Sequence, residues 1–172
     1  MTLTWQEFWN KKQHIYVSPR HTEVYYKTLG RGVLSFLPTR RPISLLDWGC
    51  GDVLASVPLR DSGVQVFLYD PIPYVYERIK ARFSGERNIY VLSEEDLSSV
   101  KPQSIDTVLI FSVLQYVSKD EFKNILPKLR NILVPEGMLL LGDIVPPSVL
   151  MIRDVFDLLR SGLQYGFFVD AV

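Results

Sequence analysis

The sequence predicts an α/β protein built on a doubly wound, mostly parallel sheet. Apolar runs of strand length alternate with helical periodicity through most of its 172 residues. The runs are nearly continuous, as strands covered on both faces must be. Several end in an aspartate, at the edge where such sheets bind ligands.

Taken in order, Thr4-Trp5-Gln6-Glu7 has capping-box spacing and predicts a short helix to about Lys12. Trp5, Phe8 and Trp9 would anchor that helix to the core. Ser18-Pro19 supplies an N-cap followed by proline at the first helical position. Tyr26, Leu29, Val33, Phe36 and Leu37 then recur at helical spacing, until Pro38 and Pro42 end the helix. Ile43–Asp47 reads as a buried strand and Val64–Asp70 as a second. A helix from Pro73 to Phe83 leads to a third strand, Asn88–Leu92, and Ile105–Phe111 is a fourth. Ser118-Lys119-Asp120-Glu121 is another capping box. Phe122, Ile125, Leu126, Leu129, Ile132 and Leu133 form an apolar stripe behind it, and Pro127 is expected to kink or break this helix. Val134–Gly137 reads as a turn, Met138–Asp143 as the fifth strand, and Pro147 to Arg160 as the last helix.

Apolar residues make up 47% and charged residues 22%, which fits a globular chain and excludes a disordered one. Nineteen Lys and Arg balance nineteen Asp and Glu, so no basic field exists to hold a polyanion, and a nucleic-acid partner is not expected. The single cysteine forms no internal disulfide, and no Cys/His cluster has metal-ligand spacing. No apolar run reaches membrane-spanning length and the N-terminus lacks secretory character, so a cytoplasmic protein is expected. The expected organisation is a helical cap over residues 1–42 and a cofactor-binding core over residues 43–172.

The chemistry concentrates in Leu45-Leu46-Asp47-Trp48-Gly49-Cys50-Gly51-Asp52, where a strand runs into an acid and two glycines. Glycines there allow a tight turn and close approach of a ligand to the backbone. Asp70 lies nineteen residues after Gly51, at the end of the next strand. An acid at that distance suits the hydroxyls of a nucleoside ribose, which a carboxylate accepts in pairs. A dinucleotide fingerprint would need a third glycine or alanine where Leu54 stands. Asp47 and Asp52 would repel a pyrophosphate but suit an ammonium or a sulfonium.

With these residues the stretch from Ile43 to Asp143 resembles class I S-adenosylmethionine-dependent methyltransferases, a Rossmann-like family. The resemblance rests on Asp47–Asp52, on Asp70, on Ile105–Tyr116, and on Val134-Pro135-Glu136-Gly137 before the fifth strand. It implies that Asp47, Gly49, Cys50 and Gly51 contact the methionine part of S-adenosylmethionine and that Asp70 holds the ribose. Pro71 and Ile72 would flank the adenine, and Glu94, within Ser93-Glu94-Glu95-Asp96, would face its amine. Phe111 and Ser112 close the fourth-strand motif. Arg20, through the cofactor's carboxylate, and Tyr16 would join from a lid. S-adenosylhomocysteine would be the product, and no metal is expected. Val53 stands where the family often has another glycine.

Candidate acceptor-side bases are His14, His21 and Asp143. Cys50 reads as a packing residue, since no histidine is placed to activate it. Phe111-Ser112-Val113-Leu114 lacks the Asn/Asp-Pro-Pro-aromatic signature of exocyclic-amine methylation. Lys11-Lys12 and Arg40-Arg41 read as solvated helix ends. A small-molecule acceptor is therefore expected. The other readings are a non-catalytic S-adenosylmethionine-binding module and a nicotinamide-dependent oxidoreductase, the latter disfavoured by Leu54.

The family core usually has seven strands, and twenty-nine residues follow Asp143. Leu163–Val169 would begin a sixth strand and no seventh is visible, so one or two strands are expected to be missing. The fifth strand then becomes an apolar edge that invites a homodimer or a swapped C-terminal tail.

Overall fold

The structure is a computed structural model and describes residues 17–39, 42–52, 56–144 and 151–171. The expected helix over Thr4–Lys12, its aromatic anchors, and His14, Tyr16, Arg40, Arg41, Val53 and Leu54 lie outside the described residues.

Five strands form one sheet: β1 (Ile43–Trp48), β2 (Val64–Tyr69), β3 (Ile89–Leu92), β4 (Ile105–Phe111) and β5 (Leu133–Gly142). Their order is β3-β2-β1-β4-β5 and every neighbouring pair is parallel. Helices α1 (Pro19–Phe36), α2 (Ser56–Asp61), α3 (Pro73–Phe83), α4 (Glu94–Ser98), α5 (Lys119–Ile132), α6 (Met151–Tyr165) and α7 (Phe168–Ala171) complete the described chain.

The two-residue period of the strands divides the core into two layers. Ile43, Leu45, Val64, Val66 and Leu68 pack on one face with Val33, Leu37, Leu59, Val75 and Ile79, so α1, α2 and α3 cover that side. Leu46, Trp48, Tyr69, Val108 and Ile110 pack on the other with Leu129 and Ile132 of α5. The connections change face between β1 and β4, where the strand order reverses. That crevice, beyond the carboxyl ends of the strands, is where such sheets accept ligands. Register levels the ends: Trp48 is opposite Tyr69, and Phe111 is opposite Gly142.

At the opposite ends of β1 and β4 a buried carboxylate joins the central strands. Asp106 Oδ2 accepts the Ser44 N–H and lies 2.8 Å from its hydroxyl. The Asp106 N–H donates to Ser44 Oγ at 3.1 Å.

Several expectations are corrected. Pro127 lies within an unbroken α5, whose start is fixed by the Ser118–Glu121 capping box. Leu163–Val169 is not a strand: α6 continues through Tyr165 and α7 follows. Gly166 (φ +81°) makes the turn, its N–H and that of Phe167 both donating to Gly162 O. Of this run Phe167 is buried at the turn, while Leu163, Tyr165, Phe168 and Val169 are exposed. Strand β5 begins at Leu133, ahead of the expected turn. Val134–Gly137 instead bulges between the Ile105–Leu133 and Thr107–Met138 pairs. Phe36 faces solvent at the end of α1.

Asp106→Ala would leave the Ser44 N–H buried without its acceptor. The expected cost is about 2 kcal/mol, read as a lower urea midpoint with an unchanged slope.

Candidate active site

A cavity of about 380 Å³ opens over the carboxyl ends of β1, β2, β4 and β5. Its size suits a small ligand. Asp47, Gly49, Cys50 and Gly51 line it from the β1 loop, Asp70, Pro71 and Ile72 from the β2 loop, Phe111 and Ser112 from β4, and Asp143 from β5. Helix α1 forms the remaining wall with His21, Tyr25, Tyr26 and Leu29.

Asp70 is the organising group. Its Oδ2 accepts the Gly51 N–H and its Oδ1 the Ile72 N–H, both at 3.0 Å. Each oxygen retains lone-pair capacity for a further donor. The side chain is buried, and burial raises its pKa above the usual carboxylate value; the two backbone donors oppose that rise.

The glycine loop is fixed from beneath, because the Gly49 and Cys50 N–H groups both donate to Tyr69 O, at 2.8 and 3.1 Å. Gly49 has φ +78°, and a Cβ there would lie 2.6 Å from Val113 Cγ2. The loop can therefore hug the β4 end only with glycine at this position. Asp52 also lines the cavity and forms an ion pair with Arg78 on α3. Asp47 and Asp70 are the other two acids that line this half of the cavity.

On the other side, Ser112 (φ +56°) and Asp143 (φ +50°) both adopt left-handed backbone conformations. The Ser112 hydroxyl donates to Asp143 Oδ2, and its N–H donates to Gly142 O at 3.2 Å. A Cβ on Gly142 would lie 2.3 Å from the Phe111 ring, so this glycine lets Phe111 cover the strand end.

The chain from residue 46 to residue 141 matches a family profile described as a methyltransferase domain. It belongs to that methyltransferase domain family. No curated protein sequence matches the chain. Among solved structures it is similar to an S-adenosylmethionine-dependent methyltransferase of Leishmania major, with 16% identity and a TM-score of 0.61. That match covers 80% of this chain and 59% of the other. It is also similar to phosphoethanolamine N-methyltransferase 1 of Haemonchus contortus, in complex with phosphoethanolamine and S-adenosylhomocysteine. Here identity is 19%, the TM-score 0.62, and the coverage 85% and 32%. A TehB-like methyltransferase of Corynebacterium glutamicum aligns with 19% identity and a TM-score of 0.56, covering 79% of each chain. At these identities the likeness establishes the fold, and the methyltransferase domain spans less than two thirds of the first two proteins.

Two expected contacts of the methyltransferase domain are not brought to the cavity. Arg20 forms an ion pair with Glu23 and donates to Tyr165 O at 3.2 Å, tying α1 to α6. Glu94 accepts the Tyr69 hydroxyl and lines a second hollow, of about 580 Å³, between α4 and α5. The two hollows share Trp48, Pro71, Ile72 and Val117 as walls.

His21 reaches the cavity and stacks on Phe167, with ring centroids 4.8 Å apart. Burial lowers its pKa, which favours the neutral imidazole. Tyr26 and Leu29 had only the signature of a core-facing stripe, yet they line the cavity, because α1 lies across the strand ends. Gln115 and Tyr116 also line it from the short 3₁₀ turn Leu114–Tyr116. Their place directly after a strand ending at the crevice was the available signal. Among the described residues no group of three or more His, Cys, Asp or Glu is placed to hold a metal ion, and no helix is long and apolar enough to cross a membrane.

Part of Cys50 remains open to the cavity, yet burial, followed by the charges of Asp47 and Asp70, pushes its thiol pKa well up. Its reaction with a disulfide reagent at mildly alkaline pH is expected to be about tenfold or more slower in the native protein than in the unfolded chain.

Proposed function

We propose that this chain binds S-adenosylmethionine across the β1 and β2 loops and transfers its methyl group to a small-molecule acceptor, releasing S-adenosylhomocysteine. The carrying observation is Asp70. It is a buried carboxylate at a strand end, fixed by two backbone donors, with lone pairs left for two adjacent hydroxyls. Gly49 and Gly51 put no side chain between a ligand and the backbone at their own positions in the turn, and Asp47 supplies negative charge for an ammonium. The cofactor contributes an already activated methyl on a sulfonium, so the protein's work is to bind, orient and exclude water.

Asp47, Gly49, Cys50, Gly51, Asp70, Pro71, Ile72, Phe111 and Ser112 are the residues proposed to hold the cofactor. His21 and Asp143 face the acceptor side. A small acceptor is supported by the limited cavity, by the balanced charge of the chain, and by a rim built from single side chains rather than a basic surface. A cytoplasmic location is proposed on the same sequence grounds.

Titration with S-adenosylhomocysteine tests the assignment. Asp70→Ala should weaken binding by about 1.5–3 kcal/mol, the range for hydrogen bonds to a charged group. Unchanged affinity would remove Asp70 from the site. Only the ionised carboxylate accepts both ribose hydroxyls. Wild-type affinity should therefore fall on acidification, beginning above the usual aspartate range because the free-state pKa is raised.

Homodimerisation through β5 is also proposed. Strand β5 pairs with β4 alone among the described strands, Leu141 and Ile144 are exposed, and Met138–Gly142 carries no charge to repel a second copy. Light scattering should report a dimer, and a monomer at high protein concentration would contradict it.

A further inference from the structure

The proposed cofactor site uses the β1 and β2 side of the crevice. The remaining half of the cavity lies over β4 and β5. Asp143 is three strands from Asp70, a separation of about 14 Å at the usual strand spacing. One ribose cannot occupy both carboxylates, so the β4–β5 half is left for the acceptor.

That half has a definite chemical character. All charged side chains among the described residues lining the cavity are carboxylates, and none is lysine or arginine. Arg20, the arginine nearest in sequence to the lining residue His21, is spent on Glu23 and Tyr165. A carboxylate or phosphate close to the reacting atom would therefore meet negative charge from the described lining residues.

The same half carries aromatic faces. Tyr25 packs edge-on against Phe111, with centroids 6.3 Å apart, and against Tyr26 at 5.3 Å. The Phe111 ring covers Gly142, the residue before Asp143. The Ser112 hydroxyl holds the Asp143 carboxylate beside that wall. Aromatic faces and a carboxylate around one pocket favour a group that carries or develops positive charge.

Resting on the proposed cofactor site, we infer that the methyl acceptor is an amine, its nitrogen lodged between Asp143 and the wall formed by Tyr25, Tyr26 and Phe111. The amine reacts in its neutral form. Its lone pair makes the new N–C bond as the S–C bond breaks, and that electron pair returns to sulfur, which becomes a thioether. Positive charge thereby moves from sulfur to nitrogen. Asp143 and the aromatic faces stand where it arrives, so they stabilise the transition state more than the neutral reactant. The surplus proton on nitrogen then leaves to water.

The test uses the intact protein loaded with S-adenosylhomocysteine and three probes of similar shape: 2-phenylethylamine, 2-phenylethanol and phenylacetate. The amine should bind best and phenylacetate worst. Asp143→Asn, which tolerates the same left-handed backbone, should weaken the amine about fivefold or more and leave the alcohol unchanged. Tyr25→Leu provides a second variant with the same selective loss expected. Equal or tighter binding of phenylacetate, binding of none of the probes, or equal effects of the variants on amine and alcohol would overturn the inference. Failure of S-adenosylhomocysteine itself to bind the wild-type protein would instead remove the cofactor reading, and this one with it.

Discussion

The carboxylate of Asp70 is the constraint on which the rest of the site depends. It is buried at the end of β2, where an ionised group loses most of its hydration. Two backbone N–H groups compensate, and they come from different segments: Gly51 after β1 and Ile72 after β2. One side chain therefore fixes the relative position of the two loops that form half the cavity. Burial still outweighs those donors, because the pKa remains raised. A buried carboxylate with lone pairs left over suits a site where a ligand completes the hydrogen bonding.

Close packing elsewhere defends this geometry. Tyr69 O accepts from both Gly49 and Cys50 N–H groups, so the backbone of the adjacent strand seats the glycine turn. Val113 approaches the Cα of Gly49 closely enough to exclude a methyl group. On the far side, Phe111 does the same to Gly142. The first contact joins the loops after β1 and β4, and the second joins the ends of the paired strands β4 and β5. The crevice keeps its shape because the strand ends are level and cannot spread without breaking these contacts. The buried Ser44–Asp106 pair holds β1 and β4 together at the other end.

The two halves of the cavity differ in how their acids are treated. Asp52, which also lines the cavity, is answered by Arg78. Asp47 and Asp70 remain as the acids of the β1–β2 half, and Asp143 stands on β5 with its carboxylate held by Ser112. With His21 favoured neutral by burial, the described lining offers negative charge, aromatic faces and backbone, but no cationic side chain. This one-signed lining is compatible with a sulfonium donor, and it restricts the charge an acceptor can bring near it.

Local sequence determined the strands, most helix caps and the glycine loop with its following acid. Each depends on neighbours a few residues apart: continuous apolar runs, a Ser three residues before a Glu, an Asp at a strand end. Ser18-Pro19 and Ser118–Glu121 start their helices as their chemistry requires. Tertiary structure decided what depends on distant packing. Pro127 was absorbed into a continuous helix whose apolar side packs on the sheet. The Leu163–Val169 run turns at Gly166 and buries Phe167 rather than joining the sheet. Arg20 was drawn to Tyr165, 145 residues away, and Glu94 to Tyr69, 25 residues away, while α1 was laid across the strand ends with Tyr26 and Leu29 toward the cavity. A side chain's final partner is set by every group within reach in three dimensions, and sequence spacing specifies only the nearest of them.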